Sequence, residues 1–60
     1  MNNKNEMLKH LQMLRMETKA NLNRLRFLQE QTGKNFESEI DRLLERLTYL
    51  DKVEKKLKNK

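Results

Sequence analysis

The chain has 60 residues, 35% hydrophobic and 38% charged, with 14 Lys and Arg against 9 Asp and Glu and a formal net charge of +5. This length holds one small domain, and the absence of cysteine excludes disulfide staples and thiolate metal sites. No apolar run exceeds two residues, which excludes both the ~20-residue apolar stretch of a membrane span and the core of a signal peptide. We therefore expect a cytoplasmic protein with no membrane partner, and Met1 leads us to expect a complete small open reading frame.

Residues 3–32 predict the first helix. Asn3 is a candidate N-cap, and Glu6, three residues on, completes a capping box. Met7, Leu11, Leu14, Thr18, Asn21, Leu25 and Leu28 then alternate steps of four and three, the heptad spacing of a coiled-coil seam. Leu8 and Leu22 widen that seam on one side. Thr18 and Asn21 put polar groups in its middle, where a buried Asn can fix register and oligomeric state or mark a place where helices part. A second apolar row, Met13, Met16, Ala20 and Phe27, falls on the far side of the same helix at about 100° per residue. A helix apolar on two faces belongs inside an assembly, and methionine adapts to varied surfaces. Either a second copy or a different protein is expected to cover this row.

Gly33, the only glycine, is the predicted helix stop because it adopts the left-handed conformation favoured just past a helix C-terminus. We place the turn at 33–35, with Asn35 as N-cap of a second helix over 36–58. That helix carries Phe36, Ile40, Leu43, Leu47, Leu50, Glu54 and Leu57 at the same spacing, flanked by Leu44 and Val53. Glu37, Glu39 and Asp41 near its start and lysines near its end complement the helix dipole, and Asp51–Lys55 and Glu54–Lys58 are expected i,i+4 pairs. Folded about residue 34, the seams match: Leu25 faces Leu43, Thr18 faces Leu50, Leu14 faces Glu54 and Leu11 faces Leu57. The expected fold is all-α, a single antiparallel, coiled-coil-like two-helix hairpin. A hairpin of this size buries little more than its ordering entropy costs, so we expect it to dimerise into a four-helix bundle. The competing architecture is one long helix running through Gly33 in a dimer, since Gly costs only about 1 kcal/mol in a helix interior.

The chemistry of catalysis is not expected. His10 has only Glu6 nearby as a co-ligand, too few for a metal site, and Ser38 has no histidine close in sequence to activate it. A single glycine cannot build a phosphate loop. We expect no enzyme, no cofactor, no metal and no small-molecule substrate.

The expected architecture resembles, in length and shape, the small plasmid RNA-binding hairpins of the Rop type, without a shared residue motif. Leu50-Asp51 resembles the end of the serine-containing motif of small helical-hairpin phosphatases from sporulating bacteria, but Leu47 stands where that motif has its serine, and that activity is not expected.

The functional expectation is a helical interaction module: a regulator, inhibitor or adaptor that binds itself and another protein. Met13, Met16, Ala20 and Phe27 would supply apolar contact, and Arg24 and Arg26 charge. The alternative is a dimeric RNA- or DNA-binding hairpin using Arg15, Lys19, Lys52, Lys55 and Lys56, together with Arg24 and Arg26. No zinc finger, helix-turn-helix or basic zipper region accompanies those charges. A further alternative is a structural subunit of a larger assembly.

Overall fold

A computed structural model of the protein describes residues 3–59. Helix α1 runs Asn3–Thr32 and helix α2 runs Glu37–Lys58. They pack against each other as an antiparallel hairpin, a slab 48 × 16 × 10 Å that is two helices wide and one helix thick. The single long helix is thereby excluded. Among the described residues no helix is long and apolar enough to cross a membrane.

The reversal is built at Gly33. Its φ is +73°, and its N–H donates to the Gln29 carbonyl at 3.0 Å, the bond that closes a helix through a left-handed residue. Thr32 Oγ1 donates to the Leu28 carbonyl at 2.7 Å and accepts the Lys34 N–H at 3.2 Å, so one hydroxyl serves both sides of the turn. Helix α2 starts one residue later than the sequence predicts, with Phe36 in the N-cap position. Asn35 still satisfies a free donor there: its Oδ1 accepts the Glu37 N–H at 2.8 Å. The Phe36 N–H goes to Gln29 Oε1 at 2.8 Å, a side chain of α1 that ties the entry of α2 to the end of its partner helix. Asn3, predicted to cap α1 from outside, lies within the first helical turn.

The α2 seam follows the predicted spacing, although Leu44, expected to flank it, is 40% exposed. Leu50 and Glu54 are buried, and Phe36, Ile40, Leu43, Leu47, Val53 and Leu57 are half-buried. On α1 the seam is rotated by one residue. Leu11, Thr18 and Leu22 are buried, with Leu8, Leu14, Arg15, Leu25 and Gln29 half-buried, so the inner line reads 8, 11, 15, 18, 22, 25 and 29. Asn21, expected inside, is exposed, and Met7 and Leu28 sit at its rim, 50% and 36% exposed. Two polar contacts across the interface accompany the rotation. Glu54 occupies a seam position of α2, and its carboxylate draws in the Arg15 guanidinium rather than the Leu14 side chain that the numbering opposes to it. Rotation also brings Gln29 to the Phe36 N–H.

The core is small. Leu11, Leu22 and Leu50 are its buried apolar residues, and among the described residues no side chain falls below 2% exposure. Thr18, only 3% exposed, satisfies its hydroxyl by donating to the Leu14 carbonyl at 2.6 Å, the local bond that lets a threonine sit inside a helix pair.

Candidate protein-interaction surfaces

A slab one helix thick has two broad faces and two narrow edges, and the sequence distributes its chemistry among them. At about 100° per residue, Met13, Met16, Ala20 and Phe27 project along the narrow edge of α1, directly away from α2. All are exposed; Met13, Met16 and Phe27 show 59%, 71% and 58% of their surface. The predicted second row therefore lies on the outside of the hairpin, with Met13, Met16 and Ala20 within two turns of one another and Phe27 set apart from them by the exposed Asn23 and Arg24. Arg24 and Arg26, both exposed, do not stand together: successive steps of the helix carry them to opposite flanks of the stripe, Arg24 toward one broad face and Arg26 toward the other.

One broad face is ionic. Arg15 Nη1 donates to Glu54 Oε1 at 2.8 Å, its Nε lies 3.1 Å from Asp51 Oδ1, and Lys58 Nζ meets Glu54 Oε2 at 2.9 Å. The Nε–Asp51 approach is an ion pair without hydrogen-bond geometry, since that buried Nε has no hydrogen-bonded partner. Glu54 is thus held from two sides. The hydrogen bond from Lys58 depresses its pKa most, and the positive charges of Lys58 and Arg15 and the Arg15 hydrogen bond act the same way against an opposing effect of burial. The expected Glu54–Lys58 pair is present, whereas Asp51, expected to pair with Lys55, turns to Arg15.

This arrangement separates the predicted nucleic-acid contacts. Arg15 is occupied in the interhelical network and half-buried, so its charge is spent on Asp51 and Glu54 rather than offered to a phosphate. Lys19, Lys52, Lys55 and Lys56 are exposed, but helical geometry puts Lys19 and Lys55 on the ionic face and Lys52 and Lys56 on the outer edge of α2. Tyr49, 65% exposed, shares that outer edge.

The other broad face carries a row of apolar residues from both helices, with the exposed Arg46, one heptad before Val53, projecting among them. Met7, Leu14, Asn21 and Leu28 of α1 and Val53 and Leu57 of α2 project to it. Two open grooves lie here, each lined from both helices: Asn3, Glu6, Met7, His10, Leu11 and Val53 toward the chain ends, and Asn21, Arg24, Leu25, Glu39, Arg42 and Leu43 toward the turn. Leu25 and Leu43, paired by the heptad register, share the second groove. The signal was present in the residues first assigned to the seam, because rotating α1 by one position turns that line outward.

His10 and Glu6 line the same groove. Among the described residues no three His, Asp or Glu side chains gather to hold a metal ion. No protein-family model, curated protein or solved structure matches this chain.

Proposed function

We propose that the protein is a non-enzymatic helical interaction module that regulates, inhibits or adapts another protein through the narrow edge of α1, and that it works as a homodimer. The observation that carries this reading is the exposed stripe Met13, Met16, Ala20 and Phe27, which lies opposite the hairpin seam and so contributes nothing to the fold of one chain. Large apolar side chains gathered on an exposed face mark interaction sites, and Met is enriched at interfaces. Arg24 and Lys19 flank the stripe, which suits a partner whose apolar groove has an acidic rim.

The small size of the core supports the dimeric reading. A hairpin whose buried apolar residues are Leu11, Leu22 and Leu50 has one layer of structure, where stable domains pack at least two. Its thermal midpoint is therefore expected to rise with protein concentration.

The test is capture of partners from native cell extract by tagged protein, with nuclease added, comparing wild type with Met16→Glu. One stoichiometric protein held by wild type and lost from Met16→Glu supports the reading. Retention of nucleic acid, with all protein lost on nuclease treatment, replaces it with the RNA- or DNA-binding alternative, for which Lys19, Lys52, Lys55 and Lys56 remain exposed. Salt separates the same two readings: phosphate contacts lose about 0.9 log units of affinity per log unit of salt for each B-DNA phosphate neutralised, while apolar docking changes little.

A further inference from the structure

We infer that the second copy seats on the apolar broad face, end over end, so that the turn of one hairpin lies above the chain ends of the other and the Met13–Phe27 stripe stays uncovered. The inference rests on the homodimer proposed above and assigns its interface.

The first argument is continuity. Leu14, Leu25, Leu43, Val53 and Leu57 are half-buried and Met7 and Leu28 sit at the rim, so this face is the seam left open on one side. A copy laid over it turns two single layers into one four-helix core. A copy laid against the narrow edge of α1 would instead extend the slab sideways and leave both seams as they are.

The second argument is composition. Neither of these two grooves is lined by a lysine, whereas grooves elsewhere on the hairpin are lined by Lys19, by Lys55 and Lys56, and by Lys55 and Lys58. Depletion of lysine alongside methionine and arginine is the composition of a protein interface. The slab outline of 48 by 16 Å gives the face an area on the order of the ~800 Å² that each partner contributes to a standard interface.

The third argument sets the orientation. The turn-end groove carries Arg24 and Arg42 with Glu39, and the groove near the chain ends carries Glu6 with no arginine or lysine. Stacking turn on turn would bring Arg24 and Arg42 of both copies together. Stacking end over end sets Glu6 of each copy above the arginines of the other and places Met7 over the Leu25–Leu43 groove.

Two neighbouring substitutions test the face. Asn21 lies on the broad face and Ala20 on the narrow edge, and both are exposed in the hairpin. By sedimentation equilibrium, Asn21→Lys, which adds a third cation beside Arg24 and Arg42, is expected to weaken the dimer at least tenfold and Ala20→Lys to leave it within twofold; lysine is a better helix former than asparagine and a poorer one than alanine, so a loss confined to Asn21→Lys reports the face and not helix stability. The orientation is read on an otherwise wild-type chain: with no native cysteine, a spin label on Lys34→Cys is unique. End-over-end stacking predicts an inter-label distance approaching the 48 Å length of the hairpin. A distance on the order of 10–20 Å, set by the spacing of stacked helices, overturns the orientation. A dimer broken by Ala20→Lys and spared by Asn21→Lys overturns the face while leaving the homodimer standing. A wild-type chain that stays monomeric overturns the homodimer and this interface together, and leaves partner capture by the stripe as a separate question.

Discussion

Arg15 of α1 and Glu54 of α2 meet at 2.8 Å across the hairpin, and they do so at the seam, where Glu54 is only 8% exposed. A charge in that position constrains register. Lys58 of the same helix pairs with one Glu54 oxygen, and Arg15 is the α1 residue whose guanidinium reaches the other while also approaching Asp51. The network is present in the rotation of α1 that the structure adopts, with Leu11, Leu22 and Leu50 buried beside it.

Breaking the pair from one side should cost more than removing it. Arg15→Met leaves Glu54 buried with Lys58 alone, while Glu54→Leu leaves Arg15 near Asp51 and partly in water. The double variant fills the same space with apolar groups and needs no counter-charge, so it should match or exceed wild type in stability. Urea midpoints for the four proteins check this as a double-mutant cycle. Strictly additive losses would show that Arg15 and Glu54 do not stabilise the hairpin as a pair.

The same residue sets an acid limit. Lys58 first and Arg15 second hold the Glu54 pKa below its ordinary value of 4.5. The unfolded chain therefore binds the Glu54 proton before the folded one does, and the stabilisation is fully present above about 4.5, then lost as pH falls through the lowered folded value. Wild type should lose stability more steeply than Glu54→Gln as pH is taken down through this range. Parallel curves for the two proteins would count against the assignment.

How much of this was legible in the residues differs between the two helices. All but one of the α2 seam positions are apolar, so the heptad spacing from Phe36 to Leu57 identifies its buried side without ambiguity. In α1 two interleaved lines compete. One holds Met7, Leu14 and Leu28 and the other Leu8 and Leu22, with Leu11, Thr18 and Leu25 common to both. Counting apolar groups favours the first, and the structure buries the second. Polar contacts accompany the second: Arg15 answers Glu54, and Gln29 answers the Phe36 N–H. Those partners lie 39 and 7 residues away, beyond the reach of a periodicity confined to one helix. Glu54 in the seam of α2 was the available clue, because a buried carboxylate requires a cation opposite it. The broad face is hidden for the same reason, since heptad spacing alone places Met7, Leu14, Asn21 and Leu28 inside.

The turn gives a prediction free of packing. A Cβ at Gly33 would meet nothing within 4 Å, yet φ is +73°. The cost of Gly33→Ala is then conformational only, about 1 kcal/mol for placing an L-residue in the left-handed region. Gly33→Asn should cost less because Asn tolerates that region. A chemically made chain with D-alanine at position 33 should be more stable than wild type by roughly 0.4–1 kcal/mol, since it restricts the unfolded chain without straining the folded one. Equal losses for L- and D-alanine would show that space, not backbone geometry, requires the glycine.

The two apolar populations of the hairpin should separate cleanly on truncation. Leu50 is 4% exposed and Met16 is 71% exposed. Leu50→Ala removes buried methyl groups from a core with few others to replace them, and should cost about 2–3 kcal/mol, toward the lower part of the range for leucine truncations because a thin slab can relax around the gap. Met16→Ala should change stability by no more than about 0.5 kcal/mol, as expected for surface positions, and alanine's helix propensity favours a small gain. Thermal melts at matched concentration measure both. If Met16→Ala proves as costly as Leu50→Ala, the narrow edge of α1 is buried in the folded assembly; the second copy then covers the Met13–Phe27 stripe, and no free surface remains there for another protein.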